Sequence, residues 1–332
     1  MEQRRSQSVV RSRKRALLLA RRLRSFLMPA AGEADELRHQ LAETRSRLAR
    51  EREQSTHRKE DAQRWRRDAT RLQQDFLLEA LTPGPALRGG SIPGEGSLYL
   101  DLMKRALSGW IYADDSFDAG LREKGGDWPE NAQTMIGLQR LDNLQFCVED
   151  ALANGVPGDL IETGVWRGGA TIFMRSILKA HGVEDRRVWV ADSFEGLPPP
   201  DPERYPQDRG DRLHTFEQLA VSQEQVRANF ERYGLLDDQV GFLEGWFRDT
   251  LPEAPMESLA VVRLDGDMYE STMDALVNLY PKLSVGGYLI VDDYGAVPTC
   301  RQAVHDYREA HGVHEELRPI DWTGVFWQRS GK

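Results

Sequence analysis

The sequence predicts an α/β fold from about residue 97 onward: a mainly parallel sheet covered by helices on both faces, preceded by a long N-terminal helical arm. Three observations predict it. Apolar segments of strand length alternate with amphipathic segments of helix length to the end of the chain. A glycine-rich turn follows the first of these strands. A segment rich in Pro and Gly separates this region from an N-terminal part of different composition.

The first 32 residues form a basic leader. Residues 1–80 hold 20 of the 44 Lys and Arg but only 12 of the 53 Asp and Glu, so the acidic excess lies in the rest of the chain. Apolar side chains are interleaved with the arginines of residues 1–28, and two interpretations stay open. The leader is a basic amphipathic helix in peripheral contact with an anionic membrane surface, or it is poorly ordered. No recognition motif accompanies the charge, so we expect no nucleic-acid partner.

Residues 33–81 predict a helical arm, because Glu, Arg, Gln and Ala dominate and neither Gly nor Pro occurs. Apolar residues at heptad spacing cluster at the two ends of the arm, which indicates a weak coiled coil or a solvated spacer helix. Residues 82–96 form a linker. The chain shows no apolar segment of the roughly 20 residues that span a bilayer. It also has no cysteine framework, so we expect a cytoplasmic protein.

Beyond the linker, the pattern predicts helices and strands in alternation. Helices are predicted over residues 98–110, 134–154, 169–181, 223–233, 271–283 and 299–311. Strands are predicted over residues 159–163, 187–191, 239–243, 259–264, 287–291 and 324–328. In open parallel sheets, ligands bind outside the carboxyl ends of the strands. Residues that follow the strands are therefore the candidates for a functional site.

The segment after the first strand reads Glu162-Thr163-Gly164-Val165-Trp166-Arg167-Gly168-Gly169. Glycines let the backbone turn tightly and approach a ligand closely. Trp166 stands where a dinucleotide fingerprint has its second glycine, and a bulky side chain there would block a pyrophosphate. S-adenosylmethionine has no pyrophosphate and needs only the turn and an acid for its ammonium group. The alternative is a tight strand–helix turn without a ligand.

An acidic residue, Asp192, follows the second strand and is succeeded by Ser193. A carboxylate at this position can accept both hydroxyls of a ribose. The glycine turn and the spaced acid together indicate an adenosyl ligand more strongly than either feature does alone.

Four carboxylates follow two later strands: Asp265 and Asp267 after one, and Asp292 and Asp293 after the other. Carboxylates that converge at neighbouring strand ends repel one another unless a cation lies among them. All-oxygen ligands suit a hard divalent ion such as Mg²⁺. The alternative is that some of these residues are helix caps, which explains one or two of the four.

These motifs together resemble the macrocin O-methyltransferase (TylF/MycF) family, whose members methylate deoxysugars. The resemblance runs from about Leu98 to Arg329. The segments that carry it are Asp127-Trp128-Pro129, Ala132-Gln133-Thr134-Met135-Ile136-Gly137, the glycine turn, Asp192-Ser193-Phe194-Glu195-Gly196-Leu197-Pro198, Asn229-Phe230-Glu231-Arg232-Tyr233-Gly234-Leu235, Gly245-Trp246-Phe247, Leu264-Asp265-Gly266-Asp267 and Val291-Asp292-Asp293-Tyr294. The first 95 or so residues have no counterpart in the short members of the family.

The resemblance implies a class I (Rossmann-like) methyltransferase domain over residues 97–332, with seven strands. It implies an S-adenosylmethionine- and Mg²⁺-dependent O-methyltransferase that acts on a hydroxyl of a sugar in a glycoside, natural product or polysaccharide. Asp265, Asp292 and Asp293 would be the metal ligands, and either His214 or Asp267 would be the catalytic base. The expected cofactor contacts are Met135, Glu162, Gly164, Trp166, Asp192, Ser193 and Trp246. We also expect a homo-oligomer.

Two other functions remain as alternatives. An NAD(P)-dependent sugar-modifying enzyme would use the same fold, but Trp166 and the lack of a second nucleotide-binding half argue against it. A methyltransferase-like scaffold tethered through its N-terminal arm would not need the acidic residues, and their presence argues against it.

Overall fold

The computed structural model describes residues 44–45, 95–113 and 117–331. Most of the N-terminal part lies outside this set: the predicted leader, residues 82–94 of the linker, and all of the predicted arm except Thr44 and Arg45. Those two residues are helical and exposed. The first helix of the domain begins at Glu95, two residues before the predicted start of the domain at residue 97. Within the described ranges, no helix is long and apolar enough to cross a membrane.

Residues 95–113 and 117–331 form eight α-helices and seven strands. The helices are α1 (Glu95–Leu107), α2 (Ala119–Lys124), α3 (Leu138–Ala153), α4 (Gly169–Ala180), α5 (Gln223–Arg232), α6 (Phe247–Thr250), α7 (Tyr269–Leu279) and α8 (Pro298–His311). The strands are β1 (Asp159–Thr163), β2 (Val188–Asp192), β3 (Val240–Glu244), β4 (Leu259–Leu264), β5 (Leu283–Val291), β6 (Arg318–Pro319) and β7 (Val325–Gln328).

The seven strands form one sheet in the order β3-β2-β1-β4-β5-β7-β6. The first five strands in this order are parallel, whereas β7 runs antiparallel to both of its neighbours. The chain builds outward from β1 to β3 and then returns to place β4 on the other side of β1. This reversal makes the carboxyl ends of β1 and β4 the point where such sheets bind ligands.

Helices cover both faces of the sheet, as the sequence predicts. Along β1, Leu160 belongs to the apolar cluster packed under α1, α3 and α4, and the next residue, Ile161, belongs to the cluster under α7 and α8. Because side chains alternate between the faces of a strand, a sheet buried on both sides needs apolar residues at successive positions. This explains the nearly continuous apolar strands in the sequence and confirms the predicted α/β class.

The predicted start of α3 and the predicted end of α7 are each wrong by four residues. Helix α7 ends at Leu279, whereas the sequence pattern predicts it to continue through residue 283. A short 3₁₀ turn that contains Pro281 follows. Because proline lacks the N–H that a helix interior requires, the α-helix ends before it. The chain enters β5 at Leu283, four residues earlier than predicted. Helices α2 and α6 and strand β6, all of which the sequence pattern misses, are only six, four and two residues long.

Candidate active site

A pocket opens at the carboxyl ends of β1 to β4, beside the point where the strand order reverses. Concave sites at this point of an α/β sheet commonly bind small molecules. Eight of the predicted site residues line it: Met135, Gly164, Trp166, Asp192, Ser193, Trp246, Asp265 and Asp267. Further walls come from the loop of residues 196–219 and from the first turns of α7. These eight residues thus share one cavity, whereas Glu162, Asp292 and Asp293 do not line its wall.

The glycine turn brings β1 and β4 into close contact. Gly164 has a φ of +83°, and a Cβ at this position would overlap the carbonyl group of Asp265. Trp166 also has a positive φ, of +50°, which is unusual for a bulky residue. Its indole Nε1 donates a hydrogen bond of 2.9 Å to the carbonyl of Gln218. The turn is therefore held against the loop that forms the opposite wall of the pocket.

Replacing Gly164 with alanine should lower the free energy of unfolding by about 3 kcal/mol or more, because both the backbone conformation and the contact with Asp265 exclude a Cβ. Gly182 is the matched control, since its φ is +62° but no atom lies near its would-be Cβ. Gly182→Ala should cost only the backbone term, about 1 kcal/mol. Urea denaturation measures both. Equal losses for the two variants would show that the close approach at Gly164 contributes nothing.

Asp192 is fixed at the end of β2 by backbone donors. Its Oδ2 accepts a hydrogen bond of 2.7 Å from the N–H of Val165, and its Oδ1 accepts one of 2.8 Å from the N–H of Phe194. Burial raises the pKa of Asp192, and these N–H groups oppose the shift. Ser193 donates from Oγ to the carbonyl of Gly196 at 2.6 Å. The carboxylate thus joins the β1 and β2 turns and faces the pocket in a defined orientation.

Glu162, the other acid predicted for the cofactor, is outside the pocket wall. Its residue is 2% exposed, and its carboxylate is paired with the guanidinium of Arg263. Burial raises the pKa of Glu162 to about 8, against the opposing effect of Arg263. The carboxylate of Glu162 therefore contacts Arg263 on the neighbouring strand β4 and does not line the pocket.

The acidic residues at the ends of β4 and β5 converge, as their positions in the sequence predict. Carboxylate oxygens of Asp265, Asp292 and Asp293 lie within 4.8 Å of one another. Leu264 and Val291, which precede two of them, are register partners in the sheet. Asp267 joins the group through its backbone N–H, which donates to Oδ2 of Asp293 at 3.2 Å. Three carboxylates at this separation form a donor set that suits a hard divalent cation.

Two buried arginines lie among these carboxylates, and the sequence analysis did not anticipate them. Arg263 donates to Glu162, to Asp292 and, at 2.8 Å, to Asp265. Arg140 donates to the other oxygen of Asp292. It also donates at 2.9 Å to Asp321, a further buried acid near the cluster. The protein thus supplies part of the counter-charge itself, so a bound cation is not the sole neutralising group.

Acidic side chains nevertheless outnumber the two arginines in the cluster. Burial raises the pKa of Asp265, and the neighbouring Asp292 raises it further. The pKa values of Asp267 and Asp293 lie well above the ordinary range, first because of burial and then because of the surrounding carboxylates. Carboxylates that resist ionisation in this way favour a ligand that brings positive charge.

A loop over residues 198–219 borders the acidic side of the pocket. Asp208 in this loop is 1% exposed and accepts hydrogen bonds from the N–H groups of Tyr269 and Glu270, at 2.8 and 2.9 Å. These bonds satisfy the free donors at the start of α7. His214, one of the two predicted bases, lies in a 3₁₀ turn of the same loop, where it is exposed and outside the pocket wall. Asp267, the other, lines the pocket.

Comparisons with known proteins agree with this architecture. Residues 98–329 match the macrocin-O-methyltransferase (TylF) family. An enzyme of Streptomyces olivaceus named 8-demethyl-8-(2,3-dimethoxy-alpha-L-rhamnosyl)-tetracenomycin-C 4'-O-methyltransferase is 60% identical over 243 residues, which cover 70% of this chain and 93% of the relative. Mycinamicin III 3''-O-methyltransferase of Micromonospora griseorubida is 55% identical over 246 residues, covering 70% and 96%.

The solved structure of the O-methyltransferase NovP is similar in both sequence and fold. It is 57% identical, has a TM-score of 0.70, and the match covers 71% of this chain and all of NovP.

Proposed function

This chain belongs to the macrocin-O-methyltransferase (TylF) family, and from that membership we propose that it transfers a methyl group from S-adenosylmethionine to a hydroxyl of a sugar. The observation that carries the proposal is the single pocket that joins the glycine turn and Asp192 to the acidic cluster at Asp265. One half of this pocket suits an adenosyl donor, and the other suits a hydroxylated acceptor. The two halves meet at Gly164 and Asp265.

The residues of β1 and β2 would hold the methyl donor. Asp192 would accept the ribose hydroxyls, since its carboxylate lines the pocket in a fixed orientation. Gly164 and Trp166 would border the methionine end, and Trp246 would provide an apolar surface for the base. Glu162 would act indirectly, by holding Arg263 against the cluster. An oriented donor and acceptor react faster than free partners because the entropy of their encounter is removed beforehand.

The acidic cluster would hold Mg²⁺ through Asp265, Asp292 and Asp293, whose oxygens lie within 4.8 Å of one another. When bound, such an ion supplies Lewis-acid polarisation that lowers the pKa of an acceptor hydroxyl. Arg140 and Arg263 hold the two oxygens of Asp292 and so fix its orientation. Such supporting hydrogen bonds are common behind metal-binding carboxylates.

Asp267 is our first candidate for the group that accepts the hydroxyl proton, because it lines the pocket two residues from Asp265. His214 is the second candidate. Asp211 lies close enough to both Asp267 and His214 for an electrostatic interaction with each, which places the His214 loop near the acidic cluster. A general base must come within hydrogen-bond reach of the proton that it removes, and loops commonly tighten when substrate binds.

The names of the relatives indicate the class of acceptor. They refer to a rhamnosyl tetracenomycin, to mycinamicin III and to demethyldecarbamoylnovobiocin. We propose that the acceptor here is likewise a sugar carried by a natural product. Assembly as a homo-oligomer, a cytoplasmic location and peripheral membrane contact through residues 1–28 stay predictions.

The test is methyl transfer from isotope-labelled S-adenosylmethionine to a panel of rhamnosylated natural products and their sugar-free aglycones. We expect label on at least one glycoside, located on the sugar by fragmentation mass spectrometry, and none on the aglycones. Label on an aglycone would contradict the proposal. Calorimetry with S-adenosylhomocysteine and with NAD distinguishes a methyltransferase from the alternative NAD(P)-dependent sugar-modifying enzyme. The alternative predicts binding of NAD alone.

A further inference from the structure

One wall of the pocket carries a buried carboxylate that the proposed chemistry does not use. Glu270, the second residue of α7, lines the pocket, and its residue is 2% exposed. Its Oε1 accepts a hydrogen bond of 3.0 Å from Nη1 of Arg248. Its Oε2 is buried and has no hydrogen-bond partner among the described residues. Because a buried carboxylate oxygen without a donor is costly, this atom points to a hydrogen-bond donor on a ligand.

The position of Glu270 indicates which part of the ligand it would meet. Arg248 lies directly after Trp246 and Phe247 in the turn that follows β3, and all three line the pocket. Strand β3 is next to β2, and the N–H of Gly245 donates to the carbonyl of Asp192 at 2.9 Å. The Glu270–Arg248 pair therefore links the segments that follow β4 and β3, and Arg248 lies on the side of the predicted ribose site. The acceptor would bind nearer the end of β5, at Asp292 and Asp293.

The surfaces near this pair suit a flat aromatic ring. Leu197, Leu219 and Trp246 line the pocket together with the charged pair. Glu270 offers a hydrogen-bond acceptor and Arg248 a donor, held side by side by their ion pair. An adenine ring presents the complementary pattern on one edge, with an exocyclic amino donor beside a ring-nitrogen acceptor. A hypoxanthine ring presents the opposite pattern there, with a carbonyl acceptor beside an N–H donor.

Given the proposed use of S-adenosylmethionine, we infer that Glu270 and Arg248 determine the base specificity of the methyl-donor site. Glu270 accepts a hydrogen bond from the exocyclic amino group of adenine through Oε2, and Arg248 donates to the adjacent ring nitrogen. Hypoxanthine would place its carbonyl oxygen against the carboxylate and is rejected. The pair thereby recognises the base of the methyl donor.

The experiment is isothermal titration of the full chain with S-adenosylhomocysteine and with S-inosylhomocysteine, its hypoxanthine counterpart. The wild-type protein should bind the adenine compound at least about tenfold more tightly. In Glu270→Gln, the amide oxygen can keep the bond from Arg248 while the amide N–H faces the hypoxanthine carbonyl. The preference should then fall to within about threefold or reverse. Glu253→Gln, an exposed residue outside the pocket, is the matched control and should keep the wild-type preference.

The outcomes separate this inference from the proposed function. A wild-type protein that binds both compounds equally, or a Glu270→Gln variant that keeps the full preference, overturns the inference and leaves methyl transfer standing. A wild-type protein that binds neither compound overturns the methyl-donor assignment and this inference with it. Thermal melting of the Glu270→Gln and Glu253→Gln variants identifies any loss of folding. Arg248→Lys replaces the planar guanidinium but keeps the positive charge, and it should independently weaken the preference for the adenine compound.

Discussion

Replacing Asp265 with alanine is expected to lower kcat/KM for methyl transfer by at least about 100-fold, since even supporting groups around a bound metal contribute 10- to 100-fold. Asp265 shares the pocket with the predicted donor contacts, and its oxygens lie within 4.8 Å of those of Asp292 and Asp293. Its removal takes away one proposed ligand and the carboxylate on the acceptor side. Affinity for S-adenosylhomocysteine should change less than about threefold, because the proposed donor contacts Gly164, Asp192 and Trp246 lie at the ends of β1, β2 and β3.

The measurement pairs steady-state kinetics with calorimetry, and Asp238→Ala serves as the control because Asp238 is an exposed acid far along the chain from the cluster. EDTA should abolish activity of the wild-type and control proteins, and added Mg²⁺ should restore it. Activity that survives both EDTA and the loss of Asp265 would mean that the cluster has a purely structural role.

Arg263→Met should lower the free energy of unfolding by about 3–5 kcal/mol, the usual cost of removing one partner from a buried ion pair. Arg263 is 1% exposed and contacts Glu162, Asp265 and Asp292. Methionine fills much of the same volume, so the loss reports mainly on charge. The three carboxylates would remain close together, and among the described residues only Asp292 would keep an ion pair, with Arg140.

Urea denaturation in EDTA measures this effect without any contribution from divalent ions. Arg232→Met is the matched control, since Arg232 is exposed. Its guanidinium donates a hydrogen bond to the side chain of Asn229 in the same helix. It should cost about 1 kcal/mol or less. If the two variants lose equal stability, Arg263 is not the internal counter-ion of the cluster.

The parts of the fold and site that follow strand ends could be predicted from sequence. Asp265 and Asp292 lie directly after apolar strands, and parallel strands bring their carboxyl ends to one edge of the sheet. Their convergence therefore follows from local pattern and topology alone. The same reasoning brings Gly164 and Asp192 into the same pocket. These positions are fixed by the backbone, which the periodicity of apolar residues determines.

The partners of those residues could not be predicted, because they come from distant parts of the chain. Arg140 lies on α3 and reaches Asp292 and Asp321 across more than a hundred residues of sequence. The sequence did contain one signal for a buried ion pair, because Arg263 is the one charged residue within the apolar strand β4. A charge in a strand that is buried on both faces requires a partner of opposite charge. Applied to Arg263, this rule would have pointed to the acids at the strand ends.

The role of Glu162 illustrates the same limit. Its position at the end of β1 indicates a ligand contact, yet in the structure its carboxylate lies against Arg263. Side chains alternate along a strand, but which of two neighbouring strands a long side chain approaches depends on what the neighbour offers. That information lies in β4, about one hundred residues further along the chain.

The central claim is that Asp265, Asp292 and Asp293 bind one divalent cation at the edge of the methyl-donor pocket. The most direct test is a crystal of the protein grown with S-adenosylhomocysteine and Mn²⁺, examined by anomalous diffraction. We expect one strong peak in contact with carboxylate oxygens of all three aspartates. A nucleoside in the pocket with no peak at these residues, or with the ion bound elsewhere, would contradict the claim.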